Sequence, residues 1–204
     1  MVDSSARWPR IAAVVAAVIV VIAGVAASGL LITGVRVDGT SMEPTLHSGD
    51  RIVVGSADGS MVQRFSVVVG KIGPNGPEVV KRVIGLPGDR VSIEKVGTAS
   101  GVVLLQSGGT GPWQRVVNPA WDGRWPKTSG NCCSALGKTI NSPTPQQVPP
   151  GKLFLLGDNL AASDDSRARG WVSADLVRGV VNWRVYPLPS AGRIDNPVTL
   201  TPAP

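Results

Sequence analysis

The sequence predicts a mainly β domain behind one N-terminal transmembrane helix. Three observations carry this. Residues 11–32 run without a single charge. From Val35 onward the apolar residues come as short β-branched runs between Gly, Ser and Asp turns. The 25 glycines and 17 prolines in 204 residues are too many breakers for long helices.

Met1–Arg10 reads as a polar arm holding Arg7 and Arg10. Ile11–Ile32 follows, 22 residues in all, and at about 1.5 Å per residue it reaches roughly 33 Å, enough for a hydrocarbon core of about 30 Å. A cleaved signal peptide is the rival reading, since Ala23–Ser28 offers small residues. The apolar run continues past them into Leu30-Leu31-Ile32, which favours an uncleaved anchor. Arg7 and Arg10 place the N-terminus in the cytoplasm and the following domain outside it, although Arg36 weakens the asymmetry.

Strands are expected at Val35 and Val37, Ile52–Val54, Val67–Val69, Val79–Ile84 and Arg90–Val96, with Val102–Gln106 pairing onto the last of these. Leu153–Leu156 reads as a buried strand, Val172–Val177 as a helical turn and Val180–Tyr186 as a final strand. The organisation expected is an arm (1–10), an anchor (11–32) and a β core formed by 35–96 and 149–187. Residues 97–148, rich in Gly, Ser and Pro with three tryptophans, read as an insertion on that core. The proline-rich residues 188–204 read as a disordered tail.

The formal net charge of +6 suits an anionic membrane surface, and no basic stripe interleaved with aromatics points to nucleic acid. One histidine and two cysteines give no set of zinc ligands, and no cofactor is expected. Cys132-Cys133 is read as non-catalytic. The pair can close a vicinal ring, stay reduced or link two chains, and the ring is the favoured reading.

The chemistry centres on Gly39-Thr40-Ser41-Met42-Glu43-Pro44-Thr45-Leu46. Gly39 permits unusual dihedrals and Pro44 holds Glu43 out of the helical region, so Ser41 sits on a bend. Such a bend fixes a hydroxyl and its own N–H, as a nucleophile with an oxyanion donor requires, although an ordinary surface turn has the same composition. Lys81 lies between Val79 and Val83 on one strand face. It is either a lysine snorkelling at a sheet edge or a desolvated amine able to act as a base.

His47, in a polar turn, reads as a solvated histidine, and a Ser–His mechanism would rest on it alone. Ser92-Ile93-Glu94-Lys95 matches S-x-x-K but lies in an alternating strand without that motif's partners. Asp164-Asp165 resembles a carboxylate pair, but adjacent side chains diverge and Arg167 can neutralise one of them.

Three blocks then fall in order behind the anchor. They are Ser41-Met42-Glu43-Pro44-Thr45-Leu46, Lys81-Arg82-Val83-Ile84-Gly85-Leu86-Pro87-Gly88-Asp89, and Gly157-Asp158-Asn159 with Ser163-x-Asp165-Ser166-Arg167-x-x-Gly170. Together they resemble bacterial type I signal peptidases over roughly residues 11–96 and 150–186. The resemblance implies an antiparallel, coiled β-sheet catalytic domain and a membrane-bound serine endopeptidase that removes signal peptides from exported preproteins. It implies Ser41 as nucleophile, Lys81 as general base and Ser163 as the hydroxyl orienting the lysine. Asp165 and Arg167 would form a structural ion pair near the site with Arg82 close by, and Met42 would line the pocket for the small residue before the cut. Partners implied are signal peptides, the phospholipid membrane and, as a further candidate, the export translocon. Where some members carry a hydroxyl completing the oxyanion hole, this chain has Gly39, leaving a backbone N–H or Thr40 as second donor.

Two other readings compete with this one. Self-cleaving repressors share Ser-Met and a Val-Lys-Arg strand but carry a DNA-binding head where this chain has an apolar run. A catalytically silent, membrane-tethered β domain binding envelope components needs neither Lys81 nor Ser163.

Overall fold

Helix α1 (Arg7–Thr33) leads into two antiparallel sheets that share a core. The computed structural model describes residues 7–56, 62–96, 100–126, 132–140 and 144–203. The first six residues of the expected arm, and 97–99, 127–131 and 141–143 of the expected insertion, lie outside them.

In chain order the strands begin with β1 (Val35–Arg36), β2 (Arg51–Ser56), β3 (Val67–Lys71), β4 (Glu78–Gly85), β5 (Arg90–Val96), β6 (Ser100–Gln106) and β7 (Gln114–Val117). After these come β8 (Gln146–Gln147), β9 (Lys152–Leu156), a short helix α2 (Ser166–Arg169), β10 (Val172–Ser173), β11 (Val177–Tyr186), β12 (Gly192–Arg193) and β13 (Thr199–Pro202). The larger sheet runs β1-β2-β11-β3-β4-β9-β10 with β12 paired to β11, and the smaller runs β13-β7-β6-β5-β8.

β-branched residues fill the strands as their propensity directs. Val67, Val68 and Val69 of β3 are all buried, because that strand lies inside its sheet with packing on both faces. Gly85 ends β4 where the chain passes between sheets. A Cβ there would meet Val91 at 2.9 Å, Val148 at 3.0 Å and Phe154 at 3.2 Å, so its missing side chain lets the layers close. Ile84, Val91, Ile93, Leu105, Trp121, Phe154 and Leu156 form the core at this junction.

Within the 97–148 region β6 pairs with β5, and β7 and β8 extend the same sheet. One expectation about organisation is corrected. Residues 188–203 are not a disordered tail. Thr199–Pro202 pairs residue for residue with Gln114–Val117, and Val198 is buried in the core. The proline count suggested too little to bury, but an edge strand tolerates Pro202, and β7 offered an unpaired edge.

The N-terminal segment is helical through 27 residues. Among the described residues no helix is long and apolar enough to cross a membrane; the continuous run of described side chains in α1 is Ile11–Val25. All of these are exposed, Ile11 and Val25 at 62% and 69%.

Candidate active site

β9 ends at Leu156, opposite Arg82 of β4. The chain then turns away, so Glu78–Lys81 is unpaired on the side where β9 would continue. Into this space comes the turn bearing Ser41. Gly39 takes φ +89°, a left-handed conformation that glycine adopts without strain. Glu43 N donates to Thr40 O and Leu46 N to Met42 O, closing the bend. Asn159 N donates to Ser41 O at 3.0 Å and ties the turn to the loop after β9.

Lys81 Nζ and Ser41 Oγ are 2.7 Å apart. The two residues are forty positions apart in sequence and meet only through this fold. Lys81 is 3% exposed. Burial pushes its amine below the usual 10.5, an effect opposed by Asp165, Asp164 and Asp158 and assisted by Arg167. The amine is thus buried and does not reach out to solvent at a sheet edge.

Arg82 is fully buried, and its expected place beside the Asp165–Arg167 pair is refined. Its Nε and Nη2 donate to Asp158 Oδ1 and Oδ2 at 2.8 and 2.6 Å, and its Nη1 donates to Phe65 O and to Asn196 Oδ1 at 3.1 Å. Asp158 also accepts from Thr45 Oγ1 and from Asn118 Nδ2. One buried carboxylate thus joins the Ser41 turn, the Lys81 strand and the smaller sheet. Asp158 and Thr45 fall within the sequence blocks given above, but nothing in the sequence marks this role for them, or any for Asn118 and Asn196.

Asp165 and Arg167 form the second buried pair, Nε to Oδ1 at 2.8 Å and Nη2 to Oδ2 at 2.9 Å. Asp165 also accepts from Gly157 N and Arg167 N, and Arg167 donates to Leu160 O, so the pair holds the 157–167 loop closed on itself. Asp164 is exposed and bonded to Arg169, not to Asp165.

Ser163 and Ser41 flank Gly157, where a Cβ would overlap Ser163 Oγ and Ser41 O. Ser163 Oγ is buried and makes no hydrogen bond, so the expected bond from it to Lys81 is not formed here. Met42 is 1% exposed and lines a pocket of about 130 Å³ with Ser41, Lys81, Val37, Val69 and Val80.

His47 is exposed, and its hydrogen bonds here are backbone ones to Asp50. Ser92 is buried in β5 of the other sheet. Cys132 and Cys133 are joined to each other in a buried vicinal disulfide. Among the described residues no cluster of His, Cys, Asp and Glu is able to hold a metal ion.

Comparison with known proteins gives a consistent result. A family model described as "Signal peptidase, peptidase S26" matches residues 10–186. A signal peptidase I of Bacillus caldolyticus is 35% identical over 159 residues, covering 74% of this chain and 78% of that protein. A signal peptidase IB of Staphylococcus aureus is 30% identical over 164 residues, 77% of this chain and 79% of its own. A crystallised signal peptidase I from Enterococcus faecalis is 30% identical and covers 59% of this chain and 96% of its own, with a TM-score of 0.38.

Proposed function

Because the chain belongs to the signal peptidase, peptidase S26 family, we propose that it is a membrane-anchored serine endopeptidase that removes signal peptides from exported preproteins, with Ser41 as nucleophile and Lys81 as base. The observation that carries this is the 2.7 Å contact between Ser41 Oγ and a buried Lys81 amine.

Lys81 without its proton accepts the one on Ser41 as Oγ attacks the carbonyl at the cut. Ser41 N–H would donate to the oxygen where negative charge develops, and a backbone N–H or Thr40 would supply a second donor. Protonated Lys81 then donates to the departing amine, and the neutral Lys81 left behind takes a proton from the water that releases the acyl group. While Ser41 is acylated its hydroxyl is lost to Lys81. Ser163 Oγ, buried without a partner near Ser41 O, is the hydroxyl assigned to hold the lysine in that state.

The unpaired stretch Glu78–Lys81 and the segment Val35–Asp38 line the two sides of the Met42 pocket. An extended peptide lying between them would add as a strand and point alternate residues at the wall. The small pocket volume favours Ala, Gly or Ser one and three residues before the cut, since larger side chains would clash there.

Membrane anchoring through 11–32 is supported by the sequence of α1 and by its exposed apolar side chains, which a water-facing helix would not carry on every side. The domain would then lie outside the cytoplasm, with lipid and the signal peptide as partners and the export translocon as a neighbour.

The test is to incubate detergent-solubilised protein with a preprotein and sequence the new N-terminus. A cut after a small-x-small sequence is expected. Ser41→Ala and Lys81→Ala should each lower turnover by on the order of a thousandfold or more. Lys81→Arg should fail as well, because guanidinium stays charged near neutral pH. Full turnover in Lys81→Ala at pH 8 would overturn the assignment.

A further inference from the structure

A second concavity opens on the far side of Ser163. It measures about 260 Å³ and is lined by Pro126, Thr139, Leu160, Ala161, Ser163, Arg167 and Ala168. It shares no lining residue with the Met42 pocket. The two are nevertheless neighbours. Ser41 lines the first, Ser163 lines the second, and Gly157 alone separates Ser41 O from Ser163 Oγ. The nucleophile therefore sits at the junction of two concavities, and a polypeptide cut at Ser41 has a segment on each side of it.

We propose that this second cleft receives the second residue after the cut, and that it accepts an uncharged, apolar side chain there. The inference rests on the peptidase reading given above and deepens it. In an extended chain side chains alternate, so residues one and three before the cut share a face with the second residue after it, whereas the first residue after it points the other way. If the two residues before the cut face the enzyme wall, the second one beyond it returns to that wall about 7 Å further on, at about 3.3 Å per residue. We infer that this part of the wall is the second concavity, because Ser163 lines it and lies beside Ser41 at Gly157.

The lining sets the chemistry. Leu160 is 2% exposed and forms the floor, with Pro126, Ala161 and Ala168 adding apolar surface. The single charged group, Arg167, is paired through Nε and Nη2 with Asp165, and Nη2 also donates to Leu160 O and Ser163 O. Its charge is thus already met by Asp165, and a carboxylate or a lysine entering the cleft would lose its water without gaining an unpaired counter-charge. Two of the lining residues, Pro126 and Thr139, come from the 97–148 region. Thr139 N donates to Arg167 O, fixing that wall to α2. Selection after the cut would thus be set by a part of the chain that lies outside the three matching blocks.

The experiment uses the full-length protein in detergent. The probes are synthetic peptides with Ala one and three residues before the cut and with Leu, Lys, Asp or Gly at the first or the second position after it. The expected result is that kcat/KM for Leu exceeds that for Lys or Asp by about tenfold at the second position. The same changes at the first position should have little effect. In Ala168→Glu, an exposed site on α2 where a carboxylate would face the cleft, the Leu-over-Lys ratio at the second position should fall by at least about fivefold. Discrimination between Ala and Leu one residue before the cut should be unchanged in that variant. Equal rates for all second-position peptides overturn the proposal, as does a ratio that Ala168→Glu leaves untouched. Failure of the underlying reading would look different: no peptide would be cut, or cutting would survive Ser41→Ala.

Discussion

In the proposed mechanism Lys81 is the residue on which the chemistry turns, and its burial has two consequences of known sign. Desolvation lowers its pKa from 10.5. Activity should therefore rise with pH along a limb that titrates Lys81, with its midpoint below 10.5, and His47→Ala should leave that limb in place. A limb that vanished in His47→Ala would return the base to histidine. The second consequence is for stability. Between the lowered folded pKa and the unfolded value of 10.5 the unfolded chain binds the extra proton, so the contribution of Lys81 to stability rises with pH through that window. Replacing it with an uncharged isostere should remove this dependence. We expect Lys81→Met to melt higher than wild type at pH 6, with the gap closing as pH approaches 10. A constant gap across that range in thermal melts would show that the amine is not buried at a cost.

At the scale of elements, the Ser41 turn, β4 and the loop after β9 are joined through Asp158. Removing this carboxylate strands the fully buried Arg82, so Asp158→Ala should cost about 3–5 kcal/mol, measured by urea unfolding. Gly157 is the closest approach of the loop to the Ser41 turn, and a methyl group there overlaps backbone as well as side chain. Gly157→Ala is expected to lower kcat at least tenfold by displacing Ser41, a shift of the size that small misplacements at a reacting centre produce. Unchanged kcat in a folded Gly157→Ala protein would mean that the loop does not set the position of the nucleophile. The vicinal disulfide lies in the core of the smaller sheet, not at the Ser41 site. The double variant Cys132→Ser with Cys133→Ser should therefore keep peptidase activity while it melts at a lower temperature.

For the whole molecule, the decisive relation in the proposed reading is between the membrane anchor assigned to residues 11–32 and the site. Ile32 and Ser41 are nine positions apart, a reach of at most about 30 Å. Holding enzyme and signal peptide in one plane raises their effective concentration. Removing residues 1–33 should spare cleavage of short peptides and impair processing of preproteins inserted in lipid vesicles. Equal losses on both substrates would assign the segment to folding instead. The C-terminal residues work inward: Val198 is buried, β13 pairs with β7, and Asn196 accepts from Arg82. Truncation after Tyr186 should accordingly lower the melting temperature even though the family match ends there.

The mainly β character, the strand positions in the Val-rich runs and the residues Ser41, Lys81, Asp165 and Arg167 were legible in the sequence, because propensity, alternation and short spaced blocks are local properties of the chain. The contact between Ser41 and Lys81 was foreseen only as a pairing of types; its 2.7 Å and the burial of the amine come from the way β9 stops short of Lys81. What tertiary structure alone decided has one common cause. Asn118, Asn196 and the edge strand β13 look like ordinary loop and tail residues until another part of the chain presents an unsatisfied partner. A buried guanidinium demands acceptors and an open sheet edge demands a strand. Those demands arise between segments distant in sequence, so no window along the chain contains both the need and the group that meets it.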